Sequence, residues 1–113
     1  MGEKMIGAGV FSEDLKWVQT GQGTSRAVLA TRPELMLVAF RFEAGAIGAL
    51  HAHPHSQASY VAKGTFDVTI DGLTTQINSG GSFVVAPGIV HGVMALEAGL
   101  LIDSFTPCRE DFR

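Results

Sequence analysis

All four histidines of this 113-residue chain, His51, His53, His55 and His91, fall in two short segments. The first reads Gly45-Ala46-Ile47-Gly48-Ala49-Leu50-His51-Ala52-His53-Pro54-His55-Ser56-Gln57, and the second Gly80-Gly81-Ser82-Phe83-Val84-Val85-Ala86-Pro87-Gly88-Ile89-Val90-His91. Successive side chains of a strand point to opposite faces, so His51-Ala52-His53 aims two imidazoles the same way. Imidazole is a good ligand for divalent transition metals, and a third histidine arriving from a distant strand completes a site. The chemistry on offer is that of a metal centre built from His51, His53 and His91. His55 reads differently: Pro54 breaks the alternation before it, which suits a pocket rim or a solvated loop.

The elements that must position these residues read as short strands between turns. Arg26–Thr31 and Leu35–Phe42 are β-rich, with Arg32-Pro33-Glu34 turning between them. Gln57–Ala62 is a strand that Lys63-Gly64 turns. Thr65–Ile70 alternates polar and apolar, putting Phe66, Val68 and Ile70 on one buried face. Asp71-Gly72 signals a type I′ hairpin, because both central residues of that turn need positive φ. Leu73–Ile77, Phe83–Val85, His91–Leu96 and Leu100–Phe105 complete the set, with Asn78–Gly81 as a further turn. Phe11–Val18 alone has helical spacing. Gly21-Gln22-Gly23 lacks the strand, third glycine and helix of a phosphate site and reads as a loop. The pattern predicts an all-β fold, a small antiparallel sandwich or barrel.

The chain is long enough for one domain, residues 1–113, and too short for a second core. Its 46% hydrophobic and 17% charged content describe a packed globule. A net charge of −3 with scattered basic residues gives no footprint for nucleic acid and no polybasic membrane anchor. Glu3 and Lys4 interrupt the N-terminus, no apolar run resembles a signal peptide or membrane span, and Cys108 is the only cysteine. These features predict a cytoplasmic protein. Cys108 has no histidine to pair with and reads as an incidental thiol. In Leu101-Ile102-Asp103-Ser104-Phe105, parity puts Leu101, Asp103 and Phe105 on one face. Asp103 sits either at a solvated edge or in a polar pocket, and the residues alone leave both open. Arg109, on its own, reads as a surface cation.

The two histidine segments resemble the motifs of the cupin superfamily, whose jelly-roll barrel, a double-stranded β-helix, holds a metal between them. Gly45, His51, His53, Gln57 and Gly64 match the first motif, within residues 45–64, with Gln57 where glutamate is usual. Gly80, Gly88 and His91 match the second, within 80–95, although Ala86 and Ala95 replace the usual proline and asparagine. The resemblance implies one divalent metal per chain, held by His51, His53, Gln57 and His91. An amide oxygen at Gln57 leaves the dication's charge uncompensated, which favours Lewis-acid or substrate-orienting chemistry and suits zinc or nickel over the iron of oxygenases.

A closer resemblance is to the KdgF family of cupins that acts in pectin degradation. It rests on His51, His53, Pro54, His55, Gln57, Tyr60, Val61 and Gly64, then Asp103, Phe105, Arg109, Glu110, Asp111 and Phe112. Members of that family convert 4,5-unsaturated monouronates, released by pectin or alginate lyases, into linear keto sugars. The resemblance implies Asp103 as the proton-transferring residue, Arg109 as the grip on a substrate carboxylate and Phe105 as a wall against the sugar ring. It also implies a homodimer, with an N-terminal strand covering a sheet edge. The competing readings are another small-molecule cupin, an isomerase or dioxygenase, and a non-catalytic sugar-binding module.

Overall fold

A computed structural model describes residues 6–113; Glu3 and Lys4 lie outside them. Among the described residues ten strands form two antiparallel sheets. They are β1 (Val18–Gly21), β2 (Thr24–Arg32), β3 (Leu35–Phe42), β4 (Ile47–His51), β5 (Ser56–Lys63), β6 (Thr65–Ile70), β7 (Leu73–Asn78), β8 (Ser82–Val85), β9 (His91–Ala95) and β10 (Gly99–Thr106). One sheet runs β1-β2-β3-β10-β5-β8 and the other β4-β9-β6-β7. From β3 onward the chain steps between the sheets, and only β6 and β7 stay together as a hairpin. That winding makes a jelly-roll barrel. It brings β4 and β9 of one sheet opposite β5 and β10 of the other.

The alternation read from the sequence decides which side chains enter the barrel. Phe66 and Val68 on β6 are fully buried and Ile70 is half-buried. Along β10, Leu101, Asp103 and Phe105 all turn inward, while Ile102 and Ser104 between them are half-buried. Phe42, Val61, Phe66, Val68, Ala95 and Leu101 form one apolar cluster, and Met36, Val38, Phe105 and Cys108 a second. Phe40 packs against both. Burying side chains of this size stabilises the fold by roughly 1.5–3 kcal/mol each.

Turn chemistry matches expectation at the β6–β7 hairpin, where Asp71 (φ 52°) and Gly72 (φ 82°) both take positive φ. Residues 11–18 depart from it. Only a 3-10 turn, Ser12–Asp14, forms there, and β1 begins at Val18. The turn buries nothing, and one isolated turn cannot offset the entropy of helix nucleation. The Gly21–Gly23 loop proves to be the tip of the β1–β2 hairpin. Among the described residues no helix is long and apolar enough to cross a membrane.

Gly64, the turn after β5, is needed twice over. Its φ is +84°, and a Cβ there would lie 2.7 Å from the Ala98 carbonyl oxygen and 2.9 Å from the Gly99 Cα. Gly72 has similar φ but open space around it. Gly72→Ala should therefore cost about 1–2 kcal/mol, the strain of positive φ alone, and Gly64→Ala clearly more. Denaturant melts of the two variants check the order.

Candidate metal centre and active site

His51 ends β4 and pairs in register with His91, the first residue of β9. The pairing shifts between Gly48 and His51, a bulge that adds a residue to β4 and aims His51 at its partner. Gly92 lies under the bulge, where a Cβ would come within 2.8 Å of the Gly48 carbonyl oxygen. His53 lies beyond the strand, in the connection to β5. Strand alternation therefore does not place it, contrary to the expectation for the His-x-His pair. Its carbonyl accepts a hydrogen bond from the Gly88 N–H (2.9 Å), which ties this connection to the loop before β9. Gln57, inward on β5, completes the group.

Each imidazole is oriented by a backbone carbonyl two residues away in its own strand or loop. The Nδ1–H groups of His51, His91 and His53 donate to the carbonyls of Ala49 (2.8 Å), Ile89 (2.8 Å) and His55 (3.2 Å). The Nε2 atoms are left to face the centre, and the three histidines present nitrogens within 4.8 Å of one another. Gln57 Oε1 lies 2.9 Å from His53 Nε2 and 3.2 Å from His91 Nε2. Its Nε2 donates to Ser59 Oγ (2.9 Å) and toward Asp103 Oδ2 (3.4 Å), which fixes the amide orientation. With Nδ1 protonated, a neutral imidazole offers a lone pair at Nε2, and Oε1 offers only lone pairs. Four acceptors thus converge with no donor among them, and the group that relieves such a cluster is a cation. Burial, reinforced by neighbouring positive charges, holds His53 and His91 below the ordinary imidazole range, so the neutral, ligating form prevails at neutral pH. The donor set fits a divalent transition metal.

Beside these residues is a cavity of about 580 Å³, counting its open mouth, with His51, His91, Gln57, Asp103, Phe105 and Arg109 in its lining. Phe40, Phe42, Phe83 and Leu101 make most of the remaining wall apolar. Asp103 is inside, which settles the alternative that the residues left open. Burial pushes its carboxyl up to about 7 against the opposing pull of the Ser59 hydroxyl and the Arg109 cation. Its Oδ1 has no hydrogen-bond partner. Arg109 is no surface cation: its side chain is only 11% exposed and bonds Asp111 through Nε (3.1 Å) and Nη2 (2.9 Å). Phe105 stands edge-on to His53, with ring centres 5.6 Å apart.

His55 stays outside the converging nitrogens, its ring 5.4 Å from that of His53 and 6.4 Å from Phe105. Cys108 is core, packed with Met36, Val38 and Phe105. Sequence reasoning missed Ser59, whose parity with Gln57 on β5 was the available signal, and the Arg109–Asp111 pair, which no strand pattern reveals.

Comparison with known proteins places this architecture. Residues 38–100 match the family model described as the cupin domain. The chain is 38% identical over 104 residues to the pectin degradation protein KdgF of Dickeya dadantii (strain 3937), covering 90% of this chain and 94% of that one. Among solved structures, KdgF from Halomonas sp. aligns with a TM-score of 0.90 at 35% identity, covering 95% and 99% of the two chains. An RmlC-like cupin from Shewanella frigidimarina NCIMB 400 aligns with a TM-score of 0.90 at 43% identity, covering 93% and 95%. The chain belongs to the cupin family and, within it, to the family of the pectin degradation protein KdgF.

Two expectations follow from the geometry. His51→Ala, His53→Ala and His91→Ala should each lose most of about one bound divalent ion per chain, and His55→Ala should keep it, as elemental analysis of purified variants will show. Asp103 bears on stability. Its carboxyl binds its proton more tightly folded than unfolded, so it weakens the fold as pH rises from about 4 to about 7. In chelator-treated protein, Asp103→Asn should be the more stable form at pH 8, by on the order of 4 kcal/mol, and lose that advantage near pH 4. Thermal melts across that range test the sign.

Proposed function

We propose that this chain opens the ring of 4,5-unsaturated monouronates, the products of pectin and alginate lyases, to give linear keto sugars. The observation that carries the reading is Asp103: a buried carboxyl near neutrality, with one oxygen unpartnered, lining the same cavity as His51, His91 and Arg109. Its near end-to-end match with a protein named for pectin degradation supports the substrate class.

In such a substrate the ring oxygen belongs both to a hemiacetal at carbon 1 and to an enol ether across carbons 4 and 5. Opening removes the proton of the anomeric hydroxyl and forms the carbon 1 carbonyl. The bond from carbon 1 to the ring oxygen breaks, and its electron pair stays on that oxygen. A proton delivered to carbon 4 then turns the resulting enolate into a ketone at carbon 5. Atoms balance as an isomerisation, with no co-substrate. A carboxyl that titrates near 7 is suited both to take the first proton and to supply the second, so Asp103 acts as base and acid in turn. Arg109 binds the substrate carboxylate and Phe105 forms the wall against the sugar ring. His51, His53, His91 and Gln57 hold one ion, zinc or nickel. When bound, it supplies a Lewis acid that stabilises negative charge on the sugar oxygens.

The protein works in the cytoplasm as a homodimer. A lone buried cysteine fits a reducing compartment, and an exposed edge strand, β1, suits coverage by a second copy.

The test is turnover. Catalytic amounts of protein should remove the ultraviolet absorbance of lyase-generated monouronate, and Asp103→Asn with matched metal content should be at least about 100-fold slower. Oxygen uptake during the reaction would instead identify a dioxygenase. Saturable binding without loss of absorbance would identify a sugar-binding module.

A further inference from the structure

Arg109 is held in a way that stability does not explain. Its ion pair with Asp111 joins an almost buried cation to a carboxylate that is 60% exposed, an arrangement that contributes little to folding. The geometry is nevertheless well defined. Asp111 takes the guanidinium side-on, its two oxygens accepting from Nε–H at 3.1 Å and Nη2–H at 2.9 Å. The planar cation lies against two rings, its Cζ 4.2 Å from the centre of Phe112 and 5.1 Å from that of Phe105. Phe112 is in turn fixed by Phe40 (6.0 Å), Phe105 (5.8 Å) and the Arg26 guanidinium (4.1 Å).

A guanidinium carries five N–H donors on two edges. Asp111 uses the Nε–Nη2 edge. Among the described residues no acceptor meets Nη1, although Arg109 lines the cavity. We propose that Asp111 is a positioning residue, which grips one edge of Arg109 so that the other edge, Nη1 and Nη2, is preset to receive the substrate carboxylate. The inference rests on the reading above, in which Arg109 meets a carboxylate. An arginine already ordered by one carboxylate and two rings loses little further side-chain freedom when it binds another. The 3-10 turn Glu110–Phe112 serves this end, bringing Asp111 to an edge of the cation and the Phe112 ring against it.

The test compares binding of D-galacturonate with that of its uncharged methyl ester to the full chain, in zinc-containing buffer, by NMR titration. Neither probe needs to be turned over. Wild-type protein should prefer the acid, and its Arg109 Nε–H resonance should stand apart from those of exposed arginines. Asp111→Ala should weaken galacturonate binding about tenfold, leave ester binding and melting temperature unchanged, and merge the Arg109 resonance with the exposed set. If that variant melts lower, Asp111→Asn, which keeps the volume and removes the charge, gives the same comparison.

Equal binding of acid and ester by wild-type protein would overturn the proposal. So would unchanged or tighter acid binding in the variant, which would make Asp111 a competitor for Arg109, and so would parallel loss of both probes. Turnover of the lyase product by the same wild-type preparation reports on the enzymatic reading separately, so the two failures are distinguishable.

Discussion

Three imidazole nitrogens and one amide oxygen face a common point, and much of the local architecture serves to keep them there. Lone pairs at 2.9 and 3.2 Å repel unless a positive charge lies between them. The barrel holds them through bonds that leave the Nε2 atoms no other role. Each Nδ1 is committed to a backbone carbonyl, the β4 bulge turns His51 toward His91, and Gly92 leaves the bulge room. This is positioning by the backbone, since every carbonyl that takes an Nδ1–H lies two residues from its histidine. The same arrangement fixes the tautomer, since an imidazole that donates from Nδ1 ligates through Nε2.

Burial shapes the two halves of the cavity with opposite sign. It disfavours charge wherever charge would appear, so it keeps His53 and His91 neutral as bases and brings Asp103 to neutrality as an acid. Gln57 joins the halves. Its oxygen faces the imidazoles while its nitrogen donates to Ser59 and toward Asp103. A glutamate in that place would set one carboxylate about 3.4 Å from another and would have no N–H to offer. The departure from the common cupin motif thus has a reason beyond the metal: the neighbour on β10 is an acid.

The strands and the inward faces were legible because period-two alternation is local. Phe66, Val68 and the trio Leu101, Asp103 and Phe105 point where their parity says. The hairpin at Asp71-Gly72 was legible for the same kind of reason, since positive φ at adjacent residues is a property of those residues. The segment 11–18 was not. Its spacing permits a helix, but Trp17 packs against Arg41 from an extended stretch, and the single turn that does form, Ser12–Asp14, buries nothing that could offset helix nucleation.

By itself the sequence determined the set of chemical groups, the strands that carry most of them and, through the spacing of His51, His53 and His91, the kind of ion they could hold. Tertiary structure alone decided how far each group is from water and from the others. Asp103 could have met solvent or a cavity, and the packing of β10 between β3 and β5 chose the cavity. Arg109 reads as a surface cation until Phe105, Phe112 and Asp111 are seen around it. Parity and turn preference depend on a residue and its immediate neighbours, whereas desolvation and ion pairing depend on what the rest of the chain folds against them.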